Sequence, residues 1–290
     1  MERRSVLLGA LAAAAGGVAG SASAAPERPM GKRLFARENL IAWCIVPFDA
    51  KKRGPEERAA MMKALGITRF AYDWRDEHLP TLDRELDALQ KNGITLDAFW
   101  FPLGLEPEKQ PHVRTILEFL TRRKVKTQLW LSLGLPDRGT QEERVAVAAK
   151  PVRWAAEAAE PIGCSVALYN HGGWFGEAEN QIEIIQAVGK RNVGIAYNFH
   201  HGHRRMDDFP GMFRLMKPHL LALNINGMRK EGPQILGLGK GDRELAMLRV
   251  VAESDYRGPV GILGHRAELD AEVALRENLE GLERIVERLG

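Results

Sequence analysis

The segment Val193-Gly194-Ile195-Ala196-Tyr197-Asn198-Phe199-His200-His201-Gly202-His203 decides the fold. An apolar run without polar alternation passes directly into an amide and three imidazoles. The same transition occurs in Ala167-Leu168-Tyr169-Asn170-His171 and in Ile262-Leu263-Gly264-His265. Strands buried on both faces of a parallel sheet read as continuous apolar runs rather than alternating ones. Each run therefore reads as a buried strand, and each histidine stands at its C-terminal end.

Working outward, apolar runs of this kind alternate with amphipathic stretches along the chain. The strand candidates are Leu40–Val46, Arg69–Asp73, Thr95–Phe101, Thr127–Leu133, Ser165–Asn170, Val193–Asn198, Leu220–Asn226 and Val260–Gly264. Between and after them the spacing predicts helices at Pro55–Leu65, Leu82–Lys91, Glu108–Lys124, Gln141–Ala159, Glu177–Gly189, Asp207–Met216, Asp242–Ala252 and Leu269–Leu289. Gly54-Pro55-Glu56-Glu57 carries first-turn chemistry, and Asp242 is the expected cap of the seventh helix. Gly66, Gly93 and Gly189 stand where a left-handed residue ends a helix. Eight strands alternating with eight helices predict an α/β single domain, a closed (β/α)8 TIM barrel. An open doubly wound sheet is disfavoured, because Cys44-Ile45-Val46-Pro47-Phe48-Asp49 after the first strand is no glycine-rich phosphate loop.

Composition agrees. The chain has 290 residues, 45% hydrophobic and 27% charged, which suits one domain with a large core. Its net charge is only +3 and basic and acidic residues are intermixed, so no nucleic-acid partner is expected. Residues 1–24 read as a signal peptide. The paired Arg3-Arg4, an Ala/Gly/Leu stretch and Ala22-Ser23-Ala24 resemble a twin-arginine leader with its cleavage site. The stretch is short and rich in small residues, which disfavours a membrane anchor. Residues 25–38 form a polar lead, and 39–290 the barrel. The expected location is periplasmic or secreted, with no membrane association after cleavage. Cys44 and Cys164 lie in apolar runs and read as small buried side chains, not as a disulfide framework.

Chemistry in such barrels lies at the C-terminal strand ends. Those ends offer Asp49; Asp73, Arg75, Asp76, Glu77 and His78; Trp100; Ser132; Tyr169, Asn170 and His171; Asn198, His200, His201 and His203; Asn224 and Asn226; and His265. Amides, carboxylates and imidazoles interleaved with aromatics suit a small carbohydrate, whose hydroxyls need polar partners and whose ring faces need flat ones. Trp100, Tyr169, Trp174, Asn198, Asn224 and Asn226 are the candidate substrate-binding residues. Asn224 and Asn226, two apart, share one face of their strand. Asp73, Glu77, His200 and His265 are the candidate acid–base residues. For the two carboxylates, the competing reading is a solvated acidic loop paired with Arg75. Alternation forbids His200, His201 and His203 from all pointing inward. His112 and His219 read as structural. Gly172-Gly173 forms either a turn or a close approach to a ligand, and Arg229 and Lys240 are candidates for binding an anion.

At Leu168–Trp174, Tyr197–His203, Leu223–Met228 and Gly261–His265 the chain resembles the xylose-isomerase-like TIM-barrel superfamily, in particular an exported branch described as sugar phosphate isomerase/epimerase. The resemblance covers roughly Asn39 to the C-terminus. It implies isomerisation, epimerisation or keto-sugar elimination by proton abstraction next to a carbonyl. It also implies a divalent metal, held in relatives by a Glu ending strand five, an Asp on strand six, a His on strand seven and a Glu on strand eight. Here those positions read Tyr169, Asn198, Asn224 and Gly264-His265, and the carboxylates are gone. The strand-six spacing of Asp, two residues, then His persists as Asn198 to His201. Three arrangements follow. A rebuilt histidine set, His171 with His201 or His203 and His265, holds a metal, for which Zn, Mn, Co, Ni or Fe suits imidazole better than Mg. Alternatively the barrel uses its histidines as metal-free acids and bases, or it retains carbohydrate binding without catalysis. Abasic-site endonuclease chemistry is disfavoured by the export signal and the absent basic groove.

Overall fold

The computed structural model describes residues 33–135 and 138–289. The expected signal peptide and most of the polar lead lie outside the described residues. Eight parallel strands close into a barrel in sequence order: β1 Leu40–Trp43, β2 Arg69–Tyr72, β3 Thr95–Leu103, β4 Gln128–Leu133, β5 Ser165–Tyr169, β6 Val193–Asn198, β7 Leu220–Ile225 and β8 Val260–Leu263. Closure is made by β1 on β8, in register from Leu40 opposite Val260 to Trp43 opposite Leu263. The connecting helices are α1 Pro55–Ala64, α2 Leu82–Lys91, α3 Pro111–Arg123, α4 Gln141–Ala159, α5 Ala178–Val188, α6 Phe209–Met216 and α7 Glu244–Ala252, with α8 Ala271–Glu287 following the last strand.

The (β/α)8 expectation is met, and the limits differ by a few residues at most. Helix ends follow local chemistry. Thr140 Oγ1 accepts from the Glu143 amide at the start of α4 while the Glu143 carboxylate returns to the Thr140 amide, a reciprocal cap. Gly66, Gly93 and Gly189 take φ of 68°, 69° and 65°, as a helix-ending left-handed residue must. Asp242 departs from expectation. Its carboxylate accepts from the Lys230 amide at 3.3 Å, while α7 begins after Arg243. The Glu244 carboxylate takes over the loop amides instead, accepting from Gly241 at 2.8 Å and Arg243 at 3.2 Å.

Two apolar layers result, because each strand presents alternate residues to either side. The larger packs between strands and helices. The smaller fills the barrel with Ile41, Trp43, Ala71, Ala98, Trp130, Ala167, Tyr169, Ala196, Ala222 and Leu263. Alanines from five strands leave room that only large rings fill. Trp130 stacks on Tyr169 with planes 4° apart, and Trp43 meets Trp130 edge-on at 4.8 Å. This aromatic plug is the floor beneath the C-terminal mouth.

Candidate functional site

Above the plug, a cleft of about 50 Å³ is lined by Trp43, Cys44, Phe48, Asp73, Arg75, Trp100, Tyr169, His171, His201 and His265. Three of the predicted histidines therefore meet, from β5, β6 and β8. The His171 and His201 rings lie 4.6 Å apart, and His200 links His201, at 3.8 Å, to His265, at 5.2 Å. His265 stacks on Phe48 with centroids 3.8 Å apart. Burial pushes the imidazoles of His200 and His265 down to about 4 and that of His201 to about 2; neighbouring imidazoles add to it for all three and Arg75 for His265. Burial, then Arg75, also lowers His171. At neutral pH this is a cluster of uncharged imidazoles.

The carboxyl of Asp73 faces them. It is 2% exposed at the end of β2; Oδ1 accepts from the Val46 amide at 3.3 Å, and Oδ2 has no partner. Burial raises its pKa to about 7, against the lowering pull of Arg75. Arg75 does not pair with that carboxylate; its guanidinium donates to the carbonyls of Asp73 and Trp74 and leans over the Phe48 ring at 5.8 Å. Cys44, in a left-handed conformation with φ 56°, is buried beside Asp73, and burial holds its thiol well above the usual range. Both Cys44 and Cys164 are free and buried.

Under the cleft, the positions where relatives were expected to carry metal carboxylates hold a neutral network. Asn198 Nδ2 donates to the Tyr169 hydroxyl at 2.6 Å, and Trp43 Nε1 donates to the same oxygen at 3.1 Å. Asn198 Oδ1 accepts from the His200 amide at 3.2 Å. Asn170 straps β5 to β6, donating to the Asn198 carbonyl and accepting from its amide.

The remaining candidates lie elsewhere. His203 Nε2 rests 2.6 Å from the Arg229 carbonyl, apart from the ring cluster, because the chain turns at Gly202 and enters a 3-10 helix. His200 lines a neighbouring cavity of about 320 Å³ together with His201 and His203, and both its ring nitrogens lack a partner. Glu77 is exposed on the 3-10 helix Asp76–Thr81 and does not line the cleft. Asn224 is fully buried against Gly261, its amide unpartnered. Asn226 Nδ2 anchors the β7–α7 loop through the carbonyls of Gly227 and Gln234. Trp100 meets Tyr169 and His171 edge-on or tilted, whereas Trp174 stands in a separate cavity. His112 is structural, its Nε2 2.9 Å from the Pro102 carbonyl. Phe48, Cys44 and Trp43 were not among the predicted site residues, and Arg75, offered at the end of strand two, was read only as a partner for the nearby carboxylates. Trp43 had a signal, since it is two residues beyond Ile41 on an inward face of β1.

The donor set does not fit the implied metal. Among the described residues no group of three or more His, Cys, Asp or Glu side chains is disposed to hold an ion. Of the expected histidine set, His171, His201 and His265 share the cleft while His203, the alternative to His201, points away; the carboxylate positions on β5 and β6 are filled by a phenol and an amide that satisfy each other.

A closed eight-stranded barrel with a polar mouth at its strand ends defines a class of enzymes and binding proteins. This chain belongs to the xylose isomerase-like TIM barrel family, whose sequence profile matches residues 57–285. No curated protein matches the chain significantly. Among solved structures it is similar to the IOLI protein with a bound zinc atom, at 16% identity and a TM-score of 0.67 over 87% of this chain and 99% of that one. It is also similar to D-psicose 3-epimerase from Clostridium cellulolyticum H10, at 15% identity and TM-score 0.62, covering 87% of this chain and 99% of the other. The 3-keto-D-glucoside 4-epimerase YcjR from E. coli gives 14% identity and TM-score 0.64, covering 86% and 98%. At these identities the likeness is one of fold.

Proposed function

We propose that this protein is an exported carbohydrate-active enzyme, an isomerase, epimerase or keto-sugar lyase, that removes a proton next to a carbonyl with Asp73 as base. The observation that carries the reading is the Asp73 carboxyl: buried, one oxygen unpartnered, facing His171, His201 and His265 across one cleft. A base is most effective when its pKa lies near the working pH, and burial brings Asp73 to about 7. As Asp73 takes the proton, the C–H electron pair moves toward the carbonyl, whose oxygen gains negative charge. A neutral imidazole N–H from His171 or His201 donates a hydrogen bond to that oxygen, and the Arg75 guanidinium adds a positive field. Delivery of the proton by Asp73 to the neighbouring carbon gives the isomer; delivery of a solvent proton to the other face, with Asp73 releasing its own to solvent, gives the epimer; and expulsion of a β-oxygen, which takes up the proton Asp73 holds, gives the lyase product. The chemistry is assigned to these side chains, with no step assigned to a metal.

Relatives whose printed names describe a psicose epimerase and a keto-glucoside epimerase support a carbohydrate substrate, and the leader-like sequence of residues 1–24 supports export. The test is solvent deuterium incorporation into a panel of keto-sugars, followed by NMR, with the purified protein and its Asp73→Asn variant. Incorporation that disappears in the variant is expected. The second reading, a carbohydrate-binding barrel without catalysis, is favoured by the neutral Tyr169–Asn198 pair, and it gains if sugars bind without exchange.

A further inference from the structure

The reaction cleft measures only about 50 Å³, whereas small-molecule pockets run to roughly 300–1,000 Å³. Beside it, sharing His171, lies a cavity of about 390 Å³ walled by Pro102, Leu103, Leu133, Trp174 and Phe175, with Ser132 and Arg144 as its polar points. His171 lines both spaces. Between His171 and Trp174 the chain runs through Gly172 and Gly173, at φ 82° and 62°, where a Cβ atom would meet nothing within 4 Å. The rim of the second cavity next to His171 therefore carries no side chain at these two positions.

Trp174 is fixed as a platform. Its indole Nε1 donates to Gln141 Oε1 at 2.8 Å, its carbonyl accepts from Asn180 Nδ2 at 2.7 Å, and the Arg144 guanidinium stands 4.7 Å from the ring centroid. A half-buried tryptophan held on α4 and the start of α5, set among proline, leucine and phenylalanine, offers a flat apolar surface at the rim of a polar mouth. Such surfaces take rings with one apolar face.

We propose that the substrate is a glycoside rather than a free monosaccharide, and that the Trp174 cavity is the subsite for its ring-shaped aglycone. The inference rests on the keto-sugar reading for the identity of the ring at Asp73, while the subsite itself is defined by the walls of the second cavity. The sugar ring bearing the carbonyl presents its reacting edge to Asp73, His171 and His201. The aglycone, an aromatic ring or a second pyranose, extends over Gly172-Gly173 onto Trp174. Contacts remote from the reacting carbon then position it, as uniform substrate binding cannot.

The test is calorimetric binding of phenyl β-D-glucopyranoside, cellobiose and D-glucose to the full chain, to Trp174→Ala and to Trp174→Phe. At least one glycoside is expected to bind about tenfold or more tighter than glucose. That preference collapses in Trp174→Ala and largely returns in Trp174→Phe, which separates a platform from a folding defect. Preference for phenyl glucoside identifies an aryl aglycone, and preference for cellobiose a second sugar. Equal affinity for all three ligands, no binding of any, or a preference indifferent to Trp174 overturns the subsite. Deuterium exchange on keto-sugars reads the Asp73 proposal separately. Exchange without aglycone preference removes only the subsite, and aglycone preference without exchange removes only the catalytic reading.

Discussion

Asn198 and Tyr169 occupy the centre of the barrel mouth as a hydrogen-bonded pair, amide to phenol, at 2.6 Å. Trp43 supplies a second donor to the same phenol oxygen, so the position where family resemblance implies charged metal ligands is closed by three neutral side chains. All three are buried, and buried polar groups left unpaired are costly. Tyr169→Phe removes the shared acceptor and strands both donors. Thermal or urea unfolding of this variant is expected to show a loss of about 2–6 kcal/mol, from roughly 1–3 kcal/mol for each of the two stranded donors. A loss below about 0.5 kcal/mol would show that the network does not hold the mouth together.

The same network predicts indifference to chelation. A ligand bound only by the folded state raises apparent stability by mass action, so a resident metal would betray itself on removal. Dialysis against a strong chelator is expected to leave both the unfolding midpoint and keto-sugar turnover unchanged, and added zinc is expected not to raise the midpoint. Loss of turnover on chelation, restored by one divalent ion, would show that His171 and His201 serve as ligands after all.

The imidazole cluster sets an acid limit on stability. His200, His201 and His265 have folded-state pKa values of about 4, 2 and 4, below the usual value near 6.5 of an unfolded chain. Their contribution is therefore present above pH 6.5 and is lost as pH falls toward 4, because the unfolded state takes up protons that the folded state resists. Asp73 acts oppositely. Its raised pKa makes the folded state the better proton acceptor between about pH 7 and 4, so it gains stability as pH falls there. Urea midpoints measured at pH 7 and pH 4.5 are expected to fall less in His201→Asn than in the parent, and to fall more in Asp73→Asn. An unchanged difference in both variants would contradict this assignment of charge.

The barrel was legible because strands buried on both faces leave an apolar run that ends abruptly in polar residues, and Val193–Asn198 matches its strand residue for residue. The convergence of His171, His201 and His265 followed from the same cue, since parallel strands in one barrel share a mouth. What strand ends could not show was where the chain goes next. Strand β6 ends at Asn198, and the turn that follows, not alternation, sets His201 into the cleft and His203 out toward Arg229. Glu77 was misplaced for the same reason, its loop forming a 3-10 helix that carries it to the surface. Phe48 and Arg75 reach the cleft by tertiary folding of the β1 and β2 loops, which no periodicity encodes. Asn224 and Asn226 do share strand β7 and its extension, but Gly261 and the Gln234 carbonyl, brought close by β8 and by the β7–α7 loop, claim them.

The central claim is that Asp73 abstracts a proton beside a carbonyl, and the most direct measurement is the pH dependence of deuterium incorporation into a keto-sugar. A base must be ionised to act, so the exchange rate is expected to rise through about pH 7 to a plateau above it, as the Asp73 carboxyl ionises in the field of Arg75 and Arg58 among neutral His171, His201 and His265. In Asp73→Asn the rate is expected to fall by at least about 100-fold, within the range general-base catalysis supplies. Exchange that survives undiminished in Asp73→Asn, or that peaks below pH 5, would contradict the account.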